Sequence, residues 1–167
     1  MSIDSLHFRE AQFKEAMGSL ASGVSVVTAR HENEAIGITV SSFASLSLLP
    51  PLILFCLDLK SKSRAAFAPR KSFAVNLLCD QQKHLAQHFA QSGKKSWDAI
   101  AFEENKLGVR ILKKSIVSLA CTVSKQHKSG DHIIIIGKVD AVSAVDKNAK
   151  PLLYFRRHYH DLGGITE

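Results

Sequence analysis

A chain of 167 residues is long enough to bury one sizeable core and short for two, so a single domain over residues 1–167 is expected. At 46% hydrophobic and 22% charged it has the composition of a soluble globular protein, and its net charge of +7 favours anionic partners without choosing between a nucleotide, a nucleic acid and an acidic protein surface. No apolar run approaches the roughly 20 residues of a membrane span, and Asp4, Arg9, Glu10, Lys14 and Glu15 leave no secretory apolar segment in the first turns, so no membrane partner is expected and the expected compartment is the cytoplasm.

Ser5 to Leu20 reads as a helix, with Phe13, Ala16, Met17 and Leu20 at helical spacing, Asp4 or Ser5 as its cap, and Gly18 and Gly23 bracketing its end. Gly23 to Arg30 and Glu34 to Val40 alternate or run β-branched around His31-Glu32-Asn33, the signature of a hairpin. Ile36 to Leu48 is rich in hydroxyls and suits extended backbone; Pro50-Pro51 then forbids helix. Leu52 to Leu57 is a short apolar run like a buried strand, and Ser72 to Leu78 a further strand. Gln81 to Gln91 is a second helix with Leu85, Ala86 and Phe89 on one face, and Ser92 to Lys106 reads as a loop. Strands return at Ile116 to Gln126 and His132 to Val142, where the run Ile133 to Ile136 should be thoroughly buried. The tail from Pro151 to Leu162 is aromatic and basic, and by itself reads as an exposed helix end. About six strands with two helices imply a mainly β, closed antiparallel barrel with helices at its ends.

The chemistry gathers between Gly37 and Arg64. Thr39, Ser41, Ser42, Ser45 and Ser47 interleave with apolar residues, and hydroxyls that both donate and accept can satisfy the edge of a planar heteroaromatic ring. Lys60-Ser61-Lys62-Ser63-Arg64 crowds three cations and two hydroxyls into one loop, opening a short helix at Lys62 to Phe67 whose free amides and charges suit a phosphate. Taken alone, each half also reads as a half-exposed strand and a solvated basic turn. Neither GxGxxG nor GxxxxGK[ST] is present, so a nucleotide would have to be held by this strand-and-loop surface. Cys56, Cys79 and Cys121 stand apart without a CxxC and read as buried reduced thiols. His158-x-His160 lacks a third ligand, so no metal is expected, and Asn76 in an apolar strand should satisfy backbone or ligand-loop groups.

Four segments in order, GITVSSFASLSLLPPLILFCLDLKSKSR from Gly37, FAVNLLCDQQKHLAQHFA from Phe73, GDHIIIIGKV from Gly130 and PLLYFRRHYHDL from Pro151, closely resemble the flavin reductase-like, FMN-binding split-barrel proteins. They are most similar to the reductase components of two-component flavin monooxygenases, and the resemblance runs from about Phe8 to about Leu162. It implies a six-stranded Greek-key split β-barrel with flanking helices, working as a homodimer with flavin near the interface. It further implies an NAD(P)H:flavin oxidoreductase that reduces FMN or FAD with NADH or NADPH and supplies reduced flavin to a separate monooxygenase. Residue by residue, Thr39, Val40, Ser41, Ser42 and Ser45 fall along the flavin ring and ribityl chain, and Lys60, Ser61, Lys62, Ser63 and Arg64 on its phosphate. His132 becomes the expected catalytic residue, a donor near the ring and the nicotinamide. Tyr154, Arg156 and Arg157 fall on the dinucleotide, with Lys95 and Trp97 at the flavin's outer end. The family more often has glycine or a small residue after its tyrosine, so RRHYH departs from the pattern and leaves the choice of NADH or NADPH open.

Two rivals belong to other classes. A flavin-binding electron-transfer or sensory protein on the same barrel would keep the hydroxyl strand and the cation loop without oxidising nicotinamide. A nucleic-acid barrel would use the charge, but only 7% of residues are aromatic and most phenylalanines occupy apolar periodic positions, so nucleic acid is not an expected partner.

Overall fold

Alternating apolar and polar positions organise most of the chain into antiparallel strands. The computed structural model describes residues 3–163, with side chains from residue 9 onward. In chain order the elements are α1 (Ile3–Gly18), β1 (Ser22–Gly23), β2 (Ser25–His31), β3 (Glu34–Val40), β4 (Ala44–Leu48) and β5 (Pro51–Asp58). A 3-10 turn over Lys62–Phe67 leads to β6 (Ser72–Leu77), and a second over Asp80–Gln82 to α2 (Lys83–Ala90). Then come β7 (Phe102–Glu104), β8 (Arg110–Leu112), β9 (Val117–Ser129), β10 (His132–Val142), β11 (Leu153–Phe155) and β12 (His158–His160). The cap expected at Asp4 or Ser5 lies outside the described side chains. Among the described residues no helix is long and apolar enough to cross a membrane.

The main sheet has seven strands in the order β3-β2-β6-β9-β10-β5-β4, every pair antiparallel. Its two edges are consecutive in sequence, joined only by Ser41-Ser42-Phe43. Laid flat, seven strands at about 4.8 Å spacing would hold their edges about 29 Å apart. Four residue steps from Val40 to Ala44 reach at most about 14 Å. The sheet therefore has to roll, and Ser42 secures the closure: its Oγ accepts the Cys56 N–H at 2.9 Å and donates to the Cys56 carbonyl at 3.4 Å. Read as one bent strand, β3 and β4 bring the rolled sheet to six, the number expected from the sequence.

Inside, Phe55, Phe67 and Phe73 pack edge to face with centroids 5.3, 5.7 and 6.0 Å apart, surrounded by Val27, Ile53, Val75, Val123 and Ile135. Gly137 lets β10 pass this cluster, since a Cβ there would lie 2.4 Å from the Phe73 ring. A second cluster of Val24, Val26, Leu78, Leu85, Phe89, Leu112 and Leu152 seats α2 on the outside of β2 and β3. Asn76, fully buried, serves backbone and side chains of the fold: its Nδ2 donates to the Val26 carbonyl at 3.0 Å, and its Oδ1 accepts from Leu112 N–H at 3.0 Å and Ser118 Oγ at 2.9 Å.

Several expectations need correction. Ile133 and Ile135 are buried as expected, but Ile134 and Ile136 are only half-buried, because they point to the outer face of the rolled sheet. Cys79 and Cys121 are buried free thiols, Cys121 pushed up to about 12 chiefly by burial and then by Asp140; Cys56 is half-buried on that same outer face. The stretch read as a loop ends in β7, which pairs with β8, a hairpin too short for its periodicity to register. The tail is a hairpin, β11 with β12, turning at Arg156-Arg157, both in the left-handed region with φ of 46° and 64°.

Candidate active site

The chain leaves β5 at Asp58, whose carboxylate accepts the Lys60 N–H at 2.7 Å and whose carbonyl accepts the Ser61 N–H at 2.9 Å. Ser61 then receives Ser63 N–H on its Oγ at 3.3 Å and Arg64 N–H on its carbonyl at 3.2 Å, while Leu59 N–H donates to the Asp131 carbonyl at 2.9 Å. The amides of Leu59, Lys60, Ser61, Ser63 and Arg64 are thus donated within the fold. This narrows the expectation of free amides for a phosphate, since five amides of the loop are used within the fold and the exposed groups that remain are mainly side chains. Lys60, Lys62 and Arg64 are exposed, and among the described residues none forms an ion pair with a carboxylate. Arg64 makes only a 3.4 Å contact to the Leu59 carbonyl.

Cross-strand register brings His132 to the same place. It lies opposite Asp58 on β5 and Ser129 on β9, and its Nδ1 is 2.7 Å from the Asp131 carboxylate. The imidazole hydrogen bond, a backbone hydrogen bond and the nearby charges of His132 and Lys60 hold Asp131 below the usual carboxylate range. An ionised carboxylate only accepts, so Nδ1 carries the proton and Nε2 is turned away from Asp131. Directly opposed residues share a face of a sheet. On the outer face, His127-Ile134-Cys56 therefore follows Ser129-His132-Asp58, and Lys125-Ile136-Leu54 follows that. Ser42, clamped to Cys56, borders this face, and Ser41 and Ser45 stay exposed with no side-chain hydrogen bond among the described residues.

Ser41, Ser42, Lys60 to Arg64 and His132 therefore converge at one end of β5 and β10, whereas Ser45 lies on β4 opposite Ile53, five strand steps or about 17 Å along β5 from Asp58. Others are placed elsewhere. Thr39 Oγ1 donates to the Ala86 carbonyl of α2 at 2.7 Å, and Val40 is 7% exposed inside the barrel, so their side chains serve the fold. Trp97 donates to the Ala35 carbonyl at 3.2 Å and packs against Phe89 and Phe102, with the Arg110 guanidinium 4.8 Å from its centroid. Ala35 sits six strand steps from Ser41, about 20 Å away. Trp97 is thus taken up by packing at the far end of β3, and neighbouring Lys95, its pKa lowered by partial burial, bonds the Gly93 carbonyl at 2.8 Å. Within the single chain neither approaches Ser41.

Tyr154 lies opposite Ser22, its ring 5.2 Å from that of Tyr159, whose pKa burial and Tyr154 push up. The Arg156 N–H donates to the Gly18 carbonyl at 2.7 Å, and Arg156 and Arg157 line a cavity of about 540 Å³ with Lys14, Glu15 and Gly18 at the end of α1. The tail hairpin is thereby tied to α1, not to the loop of cations. Two residues of the convergent group, Asp58 and Asp131, escaped the sequence reading. The signal was present in Gly130-Asp131, which sits directly between two strands and beside His132.

Residues 17–163 match the model of the flavin reductase like domain. The chain is 36% identical over 150 residues to the reductase component of 4-hydroxyphenylacetate 3-monooxygenase from Thermus thermophilus, covering 90% of this chain and 95% of that one. It is 34% identical over 148 residues to the flavin-dependent monooxygenase reductase subunit HsaB of Mycobacterium tuberculosis, covering 88% and 79%. Among solved structures, the NADH:FAD oxidoreductase SgcE6 of Streptomyces globisporus, in complex with NAD and FAD fragments, superposes with a TM-score of 0.88 at 26% identity over 95% of each chain. A rolled antiparallel sheet closed at Ser42, a loop of unpaired cations after β5 and a match across nearly the whole length lead to one assignment: the chain belongs to the flavin reductase-like domain family.

Proposed function

We propose that this chain is an NAD(P)H-dependent flavin reductase which transfers hydride from NADH or NADPH to FMN or FAD and supplies the reduced flavin to a separate monooxygenase. The observation that carries this reading is the meeting of three cations without a carboxylate partner among the described residues, Lys60, Lys62 and Arg64, with exposed Ser41 and with His132 at one end of β5 and β10. The donor set fits a flavin nucleotide: mobile cationic side chains for a phosphate, and neutral hydroxyls for a ring edge that carries no full charge. In this reading Lys60, Ser61, Lys62, Ser63 and Arg64 hold the phosphate. Ser41, Ser42 and Ser45 border the ring, and the backbone of Thr39 and Val40 forms its floor. A bound flavin supplies the hydride acceptor, and the protein's task is placement and exclusion of water. His132, with Nδ1–H given to Asp131, presents Nε2 to the ligands as an acceptor, in place of the donor expected from the sequence, and orients the nicotinamide through its carboxamide N–H. Tyr154, Arg156 and Arg157 take the distal part of the dinucleotide.

The same reading includes a homodimer in the cytoplasm, each protomer a single domain. Leu54, Cys56, Ile134 and Ile136 make the outer face of β5 and β10 apolar while the inner face is already filled by Phe55 and Ile135. A sheet apolar on both faces needs cover on both, and a second copy supplies it next to the cation loop. The deciding experiment follows oxidation of NADH and NADPH at the nicotinamide absorption band, with FMN, FAD or no flavin added. Oxidation that depends on added flavin supports the reductase reading; binding of flavin with neither nucleotide oxidised overturns it.

A further inference from the structure

His132 needs a fixed orientation to serve the site, yet its side chain is 47% exposed and its strand supplies no neighbour to hold the ring. Among the described residues, the one group that bonds it is the Asp131 carboxylate, 2.7 Å from Nδ1. The backbone of Asp131 is itself held in place, while its side chain is 87% exposed. Gly130, in the left-handed region at φ 58°, closes the two-residue turn between β9 and β10, and the Asp131 carbonyl accepts the Leu59 N–H at 2.9 Å. That bond joins the His132 turn to the root of the cation loop, which Asp58 braces from the other side through Lys60 and Ser61.

We propose that Asp131 is a positioning residue for the reductase reaction: its carboxylate keeps the proton of neutral His132 on Nδ1, so that Nε2 faces the ligand, and its backbone fixes that ring relative to the loop of cations. The proposal rests on the reductase reading above and adds a second residue to it. The titratable groups near His132 are Asp131 from the turn, Asp58 opposite it on β5 and His127 one row along on β9, and the charge of Lys60 from the loop acts on Asp131. Of these, among the described residues, only Asp131 bonds the ring. Asp58, directly across the strand pair, gives its carboxylate to the Lys60 amide instead.

The test combines kinetics with nitrogen NMR of the histidine rings in the full chain, for the wild type, Asp131→Asn and Asp131→Ala. In the wild type the neutral ring of His132 should show the Nδ1–H tautomer. Asp131→Asn puts an amide that can donate as well as accept beside Nδ1, so part of the ring population should move to the Nε2–H tautomer and turnover should fall. Asp131→Ala should shift the ring to the Nε2–H tautomer and lower kcat about tenfold, the lower end of the loss seen when a histidine's orienting partner is removed, with KM for flavin nearly unchanged. Unaltered tautomer and turnover in Asp131→Ala would overturn the proposal, as would a rise in flavin KM alone, which would assign Asp131 to the loop. If the wild type oxidises neither nucleotide, the reductase reading fails, and the ring spectra still decide whether Asp131 sets the tautomer.

Discussion

The two faces of β5 and β10 are built from neighbouring residues and differ in completeness. Inward, Ile53, Phe55, Leu57, Ile133 and Ile135 are packed against Phe67 and Phe73 and lose almost all contact with solvent. Outward, Leu54, Cys56, Ile134 and Ile136 are half-exposed, and the strands run on into His132 and unpaired lysines. The inner face is finished by the chain itself. The outer face is left half-exposed; under the proposed reading a ligand covers one end and a second copy the rest. Under that reading, stability and function occupy opposite sides of the same two strands.

That contrast can be broken most severely from the inside. Phe73→Ala removes one of three mutually packed rings and should cost about 3–5 kcal/mol in chemical denaturation, with flavin binding lost only as far as the fold is lost. Sharpening it needs the opposite profile. Arg64→Ala removes an exposed, charge-assisted contact, so flavin nucleotide affinity should fall about tenfold to a hundredfold, corresponding to about 1.5–3 kcal/mol. Riboflavin affinity and the melting temperature should not move, and equal losses for riboflavin and FMN would remove Arg64 from the phosphate site.

Gly37→Ala probes the far side of the barrel. A Cβ there would stand 2.3 Å from the Phe89 ring, so α2 must shift, at about 1–3 kcal/mol in thermal melts. Ile134→Asp should leave the melting transition cooperative while abolishing the dimer in sedimentation velocity; a variant that stays dimeric would put the second copy on another surface. The smallest expected effect is electrostatic. Asp131 has a folded pKa lowered by His132, so the pair's stabilisation is present above the ordinary carboxylate pKa and disappears as pH falls through the lowered value. Carbon NMR of the Asp131 carboxyl should show a midpoint below that of a model peptide, returning toward it in His132→Gln.

Much of the architecture was legible because it is local. The hairpin around His31-Glu32-Asn33 and the helical face of Leu85, Ala86 and Phe89 each report a pattern that survives in the fold, and the unbroken apolar run Leu52 to Leu57 was legible as a strand, though not as one with Leu52, Leu54 and Cys56 half-buried on its outer face. The cation loop was legible too, since Lys60 to Arg64 follow a strand and precede a helical turn. β7 and β8 were not, because three-residue strands carry no period. Nor was the tail: two arginines at a left-handed turn contradict the Asn-Gly chemistry such turns prefer, so the sequence argued against the hairpin that forms.

Residue order alone determined that the chain is a mainly β domain with a run of hydroxyls leading to a basic loop, because composition and period act over a few residues. Tertiary structure alone decided which hydroxyls remain available. Thr39 lost its own to the Ala86 carbonyl and Ser42 to Cys56, whereas Ser41 and Ser45 kept theirs. It also decided which isoleucines of one unbroken run face the core, and that Asp131 meets His132 beside Lys60. The reason is the roll of the sheet: strand alternation sorts side chains into two sets, but only closure through Ser41 to Phe43 says which set lies inside.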